Sequence, residues 1–392
     1  MFAAPFDFFA PQRIVFGWGR RSEVGTLAAG LGRRAFIVVG SRTLERSGKV
    51  AALEQRLAQA GVAVVRLGTI SREPLVADVD EAVARLRENG PQSDDLLLAV
   101  GGGSAIDLAK AVAALAPQPE PASVRDYLEG VGRGLKLAAA PLPLLAMPTT
   151  GGTGTEATKN AVISSQDPPF KKSLRDDRMI PRIVLVDPEL SIGVSPATTA
   201  WTGLDAITQL IEAYITRNAR PIPQSLCLEG LRLALPAVER AVNDGADREA
   251  REAMAQAALF SGIALANSGL GLAHGVAAAL GVQANVPHGL ACAVMLPSAL
   301  KANRETSQAG LARLARYAMN LTESDDAAAA QRLLDHVNAL CRRLNVPARL
   351  SELGVHREQL PALVQGSHGN SLNGNPRTID DAELHAILEA ML

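Results

Sequence analysis

Five short apolar runs decide the fold class of the first half of this chain. They are AFIVVG (35–40), VAVVRL (62–67), LLLAV (96–100), LLAMP (144–148) and RIVLVDP (182–188). Each is too short for a buried helix and is closed by glycine, proline or charge. Helical patterns cover 47–60 and 76–89, and IDLAKAVAALA supplies another after the third run. Strands that are apolar on both faces and alternate with helices predict a parallel sheet covered on both sides. After about residue 190 the alternation stops, and long Ala/Leu-rich segments follow one another. The expected architecture is therefore an α/β domain over 1–190 and an all-α domain over 191–392, divided near DPELSIGVSP. PQPEPA (117–122) reads as a short surface loop.

With 392 residues, 47% of them hydrophobic, the chain has material for two cores. A net charge of −1 gives no electrostatic case for nucleic acid or an anionic membrane. Cys227, Cys292 and Cys341 are sparse, odd in number and widely spaced, which argues against a disulfide framework and fits a reducing cytoplasm. The N-terminal MFAAPFDFFAPQRIVFG is too interrupted by Pro and Asp for the apolar core of a signal peptide. No run approaches the roughly 18 apolar residues of a membrane span.

The third run ends in a candidate phosphate cradle, LLLAVGGGSAIDLAKA. Glycine lets a ligand approach the backbone, and a helix start offers unpaired N–H groups and partial positive charge. The alternative is that Gly101, Gly102 and Gly103 make only a tight turn and that Ser104 only caps. The spacing matches neither GxGxxG nor a Walker motif. PTTGGTGTEATKNAV (148–162) is a second Gly/Thr-rich loop after a strand, suited to ribose or phosphate or simply to a flexible turn. Two such loops at strand C-termini favour a nucleotide. After the first run stand Gly40, Ser41 and Arg42, with no acid to hold a ribose 2′-hydroxyl. That leans slightly toward a 2′-phosphate, and hence NADP.

TGLDAITQLIEAY (202–214) gathers Leu204, Ile207, Ile211 and Tyr214 on one side of a helix and Asp205, Gln209 and Glu212 roughly opposite. The polar side faces either water or a metal ion. His274 lies in a small-residue helix, SGLGLAHGVAAALG, and His288 at the break NVPHGLACAVMLP. Each alone reads as a satisfied core histidine. His336, His356, His368 and His385 read as helix surface or loop, with His368 within possible reach of a cleft. Asp205 with His274 and His288 makes one carboxylate and two imidazoles, a set suited to a catalytic divalent metal with an open position. Gln209, one turn after Asp205, adds a neutral oxygen or holds a water.

Taken together, FxxPQRIVFGWG, VGGGSAIDLAKA, MPTTGGTGTE, VDPELSIGVSPATTAWTGLDAITQLIEAY, GLGLAHG with NVPHGLACAVMLP, and NGNPRTIDDAEL resemble the iron-containing (group III) alcohol dehydrogenase family nearly end to end. The resemblance implies the dehydroquinate synthase-like fold: a dinucleotide-binding α/β domain, a helical domain, and a cleft holding the metal. It implies hydride transfer between NAD or NADP and a small alcohol or aldehyde, with Fe²⁺ by family or Zn²⁺. It assigns Gly102, Gly103 and Ser104 to the cofactor diphosphate, and Thr149, Thr150 and Thr153 to the nicotinamide end. Ser41 and Asp107 join the cofactor set. Lys171 is similar to the family's ribose-contacting lysine, with Lys172 a close rival. Asn160 and Ser371 are candidate substrate-lining residues. A homodimer paired through the early strand IVFG is implied as well.

The family's metal pattern is Asp, His four residues on, then two more His. Asp205, His274 and His288 match, and Gln209 departs. Glycerol dehydrogenases of the same superfamily bind zinc with one Asp and two His. Ala278 stands where many members carry a further histidine implicated in proton transfer. The Gln209 change brings in a rival, a metal-free reductase of the maleylacetate reductase type. A lyase of the dehydroquinate synthase type needs a Lys/Arg cluster that the helical half does not display.

Overall fold

The computed structural model describes residues 5–120 and 122–392. The first four residues of the N-terminal stretch, and Pro121 of the PQPEPA loop, lie outside the described residues. The chain divides into two compact units. One comprises Phe9–Thr150 and Thr155–Ser191. The other comprises Ile192–Leu392, Gly151–Gly154 and the described residues before Phe9.

The α/β unit is built on β1 (Arg13–Phe16), β2 (Arg34–Val39), β3 (Ala63–Thr69), β4 (Asp95–Gly101), β5 (Leu144–Pro148), β6 (Asn160–Gln166), β7 (Pro169–Arg175) and β8 (Ile183–Val186). Its helices are α1 (Val24–Ala29), α2 (Arg42–Arg46), α3 (Lys49–Gln59), α4 (Val76–Glu88) and α5 (Gly103–Leu115). Six strands form one parallel sheet in the order β1-β8-β5-β4-β2-β3. Every residue of β4 is buried, as its unbroken apolar run predicts. Phe36, Leu97 and Ala99 pack beneath α4 and α5, while Ile37, Leu96 and Leu98 pack beneath α1 and α3. The two connections leaving β2 and β4 therefore lie on opposite faces. The crevice between those strand ends is the topological switch point, where open α/β sheets bind ligands.

An antiparallel hairpin, β6 with β7, was not expected from the sequence. Asn160–Gln166 begins inside the 148–162 stretch, and its apolar residues, Ala161, Val162 and Ile163, end after three positions, too short a run to mark a strand.

The helical unit holds α6 (Pro196–Ile215), α7 (Pro221–Asn243), α8 (Arg248–Ser268), α9 (Leu272–Ala284), α10 (His288–Asn303), α11 (Gln308–Met319), α12 (Asp326–Arg343), α13 (Leu360–Gly366), α14 (Asn370–Gly374) and α15 (Asp381–Glu389). No strand occurs in it among the described residues. Leu204, Ile207 and Ile211 of α6 join Leu231 and Val238 of α7 and Leu333 and Val337 of α12 in one core. Gly262 in α8 lets the loop Gly151–Gly154 pass: a Cβ there would lie 2.0 Å from the Gly154 carbonyl oxygen. Among the described residues no single helix is long and apolar enough to cross a membrane.

Candidate metal and cofactor sites

Helix α6 starts where Ser195 accepts from the Thr198 amide and Pro196 occupies the first turn. Its apolar stripe feeds the core described above. Its polar stripe is equally hidden: Asp205, Gln209 and Glu212 are 0%, 2% and 3% exposed. Water is therefore not what these side chains face.

Glu212 organises the start of α9. Its carboxylate accepts from the amides of Gly271 at 3.1 Å and Ala273 at 2.7 Å, where the helix N-terminus favours negative charge. Asn375 Oδ1 accepts from the Leu272 amide at 3.2 Å. Glu212 also accepts from His274 Nδ1 at 2.7 Å, which turns Nε2 toward Asp205 Oδ1, 3.1 Å away. Such a carboxylate–imidazole pair fixes ring orientation and tautomer for a metal ligand.

His288 enters from another direction. Asn285 takes a left-handed conformation, φ 53°, and turns the chain into α10. Gly289 lets that first turn pass α6: a Cβ there would sit 2.8 Å from the Trp201 carbonyl oxygen. The rings of His274 and His288 meet edge to face, with centroids 5.6 Å apart. One donor atom from each of Asp205, His274, His288 and Cys292 lies within 4.8 Å of all the others. Cys292 belongs to no cysteine pair pattern, neither a disulfide framework nor CxxC, so the sequence alone does not single it out. Its signal was the four-residue spacing from His288, which places both on one helix face.

The electrostatics fit a cation. Burial works against charge on His274, yet the flanking Cys292, Asp205 and Glu212 raise its pKa well above the ordinary imidazole range. Burial alone would push Asp205 up, but His274 and His288 hold it below the usual carboxylate range. Asp205 Oδ2 is buried with no hydrogen-bond partner. A buried carboxylate oxygen left unpaired is costly, and a shared cation removes that cost. Burial pushes the Cys292 thiol up to about 12.

Gln209 donates from Nε2 to the Thr153 carbonyl and to Asp205 Oδ1, both at 3.2 Å. Its Oε1 accepts from Ser261 Oγ at 2.8 Å. The structure thus gives Gln209 a donor's posture toward Asp205, whereas the sequence leaves open whether it adds an oxygen to the ion or holds a water.

In the α/β unit, Gly40 and Gly101 close the switch point. A Cβ on either would lie 2.6 Å from the other's Cα. Gly102 caps α5, and Gly102, Gly103 and Ser104 are partly exposed at its N-terminus. The Thr149 amide donates to the Gly101 carbonyl at 3.0 Å, so the two Gly/Thr loops lie side by side. Thr149 and Thr150 are partly exposed there, and Thr153 belongs to the segment packed with the helical unit.

Other expected cofactor residues have internal duties. Ser41 accepts from the Leu44 amide at 3.2 Å as the cap of α2. Asp107 is buried: it accepts from Thr155 Oγ1 at 2.6 Å and the Val162 amide at 3.2 Å, and burial raises its pKa. Lys171 on β7 pairs with Glu73, while Lys172 sits next in register. Asn160 donates to Ser173 Oγ at 3.5 Å, Ser371 is partly exposed on α14, and Ala278 is partly exposed one turn after His274. His368 is exposed and pairs with Asp381 at 2.8 Å.

Lys110 was not foreseen. Fully buried, it donates to the carbonyls of Thr155, Thr158 (2.7 Å) and Asn160 (3.1 Å) and to Thr158 Oγ1 (2.8 Å), pinning the second loop. Burial lowers it to about 8 and raises the neighbouring Glu156 to about 7.

Comparison with known proteins agrees with this construction. Residues 11–188 match the iron-containing alcohol dehydrogenase family, and residues 199–392 match the C-terminal part of the Fe-containing alcohol dehydrogenase family. Lactaldehyde reductase of Escherichia coli (strain K12) is 34% identical over 382 residues, covering 95% of this chain and 96% of that protein. The crystal structure of a 1,3-propanediol oxidoreductase superposes with a TM-score of 0.92 at 30% identity, covering 99% of this chain and 100% of that one. Sulfoacetaldehyde reductase from Bifidobacterium kashiwanohense, solved in complex with NAD+, superposes with a TM-score of 0.87 at 28% identity, covering 99% of both chains. Several ordered motifs, two matched halves and a buried carboxylate–imidazole cluster converge: the chain belongs to the iron-containing alcohol dehydrogenase family.

Proposed function

We propose that this alcohol dehydrogenase/aldehyde reductase acts on short, oxygen-bearing aldehydes and alcohols, with its divalent cation held by Asp205, His274 and His288. The carrying observation is the convergence of buried donor atoms from α6, α9 and α10 around an Asp205 oxygen that has no partner. The substrate class is supported by three relatives named for lactaldehyde, 1,3-propanediol and sulfoacetaldehyde, beside others named for methanol and long-chain alcohols.

When bound, the cation supplies Lewis-acid polarisation of a carbonyl or hydroxyl oxygen. The chain's residues prepare for it. Glu212 holds the proton on His274 Nδ1 and leaves Nε2 as the ligand atom. Gln209 donates to Asp205 Oδ1, leaving Oδ2 to ligate. The partly exposed amides of Gly102, Gly103 and Ser104 at the start of α5 receive the NAD(H) diphosphate. Ala278 offers no imidazole one turn after His274, so the proton would have to exchange through water or a hydroxyl of the bound cofactor.

NADP(H) is accepted beside NAD(H), because Gly40, Ser41 and Arg42 offer no carboxylate to a 2′-phosphate and Arg42 is exposed. The metal is Fe²⁺ or Zn²⁺. The protein forms a homodimer in the cytoplasm. The dimer is supported by β1, an edge strand that carries the exposed Ile14, and the reducing compartment by three free cysteines.

The test is purification without chelators, metal analysis, and NADH- and NADPH-linked reduction of a panel of short hydroxyaldehydes. Activity lost on chelation and restored by Fe²⁺ or Zn²⁺ supports the reading. Full turnover by metal-free protein overturns it in favour of the metal-free reductase chemistry. Arg42→Ala is expected to lower NADPH use severalfold against NADH, the scale of one exposed ion pair.

A further inference from the structure

Four donors of three types meet in the helical unit, and one of them is sulfur. Cys292 is completely buried and stands one turn beyond His288 on the same face of α10. Its Sγ lies 3.7 Å from His288 Nε2. A tetrahedral ion with a metal–sulfur bond of about 2.3 Å and a metal–nitrogen bond of about 2.0–2.1 Å separates those two atoms by about 3.6 Å. The same cluster holds Asp205 Oδ2, buried and without a partner. Gln209 cannot complete the set, since both ends of its amide are engaged. Turning the amide over would set its oxygen against the Thr153 carbonyl, 3.2 Å away.

We propose that Cys292 is a direct donor to the cation, making the centre an Asp205–His274–His288–Cys292 set with one sulfur ligand, to which a substrate oxygen would add as a fifth donor. This rests on the reading of Asp205, His274 and His288 as metal ligands. The thiol gives up its proton to solvent as the metal–sulfur bond forms, because a coordinating thiol is deprotonated outright. A thiolate among the donors favours Zn²⁺ over Fe²⁺ more than an all-nitrogen-and-oxygen set does.

The test loads the full chain with Co²⁺ and with Zn²⁺, alongside Cys292→Ser and Cys292→Ala. Thermal unfolding of the metal-free proteins checks that the variants fold. Wild type is expected to show thiolate-to-cobalt charge-transfer absorption that both variants lack. X-ray absorption of the Zn²⁺ form should resolve one sulfur at about 2.3 Å; this readout needs no variant. Zn²⁺ affinity should fall about 10- to 100-fold or more in the variants, and the Zn²⁺-over-Fe²⁺ preference should shrink. Wild-type affinity and spectrum in Cys292→Ala, with only nitrogen and oxygen around zinc, would reduce Cys292 to a hydrogen-bond donor and overturn the proposal. If wild type binds no metal at all, the reading of Asp205, His274 and His288 fails first and this inference with it.

Discussion

The two units prepare their ligand sites in opposite ways. The α/β unit uses backbone: glycines at the ends of β2 and β4 and the amides at the start of α5 make up the proposed cradle, and side chains mostly stay out of the way. The helical unit uses side chains drawn from α6, α9 and α10, with His274 aimed by a second buried group, Glu212. A backbone site tolerates most side-chain changes but not an added Cβ. A side-chain site tolerates small packing changes but not the loss of one functional group.

Substitutions in each unit can break this contrast. The largest effect is expected for Asp205→Ala: bound metal is lost and kcat/KM falls by more than about 100-fold, the upper scale of outer-shell changes. NADH binding, followed by nicotinamide fluorescence, should stay within about twofold. Glu212→Gln keeps shape but removes the charge that holds His274 Nδ1–H, so metal affinity should fall about 10- to 100-fold. Isothermal titration of the apoprotein measures it, and rescue by Glu212→Asp separates positioning from folding.

In the α/β unit a pH effect sharpens the contrast. Burial raises Glu156 to about 7 from the ordinary glutamate value of 4.5. A carboxyl with a raised folded-state pKa stabilises the fold fully below about 4.5, and that contribution is lost as pH rises through about 7. Denaturant unfolding at pH 5 and pH 8 should therefore show wild type losing up to about 3 kcal/mol relative to Glu156→Gln. Gly101→Ala drives a Cβ into Gly40, and unfolding should show a loss of about 1–3 kcal/mol. NADH affinity should drop with it, while the isolated change leaves metal content intact.

The same contrast explains what could be read from the sequence. The cradle is contiguous: an apolar run, three glycines and a helix start declare themselves in sixteen residues, LLLAVGGGSAIDLAKA. The parallel sheet was legible for the same reason. The hairpin of β6 and β7 was not, because β6 has only three consecutive apolar residues and β7 is mostly polar. In the metal cluster, the types of Asp205, His274 and His288 pointed to ligation. Glu212 could be seen as polar, but its partners Gly271, Ala273 and His274 lie about sixty residues away along the chain. Asp107 stood in the right place for a cofactor contact, yet both its oxygens serve the loop that Lys110 pins. Residue type suggests chemistry, but only the fold says which polar atoms are already spent.

The most direct measurement is metal stoichiometry of protein purified without chelators, set against Asp205→Ala and His274→Ala. About one tightly held divalent ion per wild-type chain, absent from both variants, is the result expected. Wild-type protein that turns over aldehyde while holding no metal, or variants that retain a full equivalent, would contradict the convergence of Asp205, His274 and His288 on a single cation.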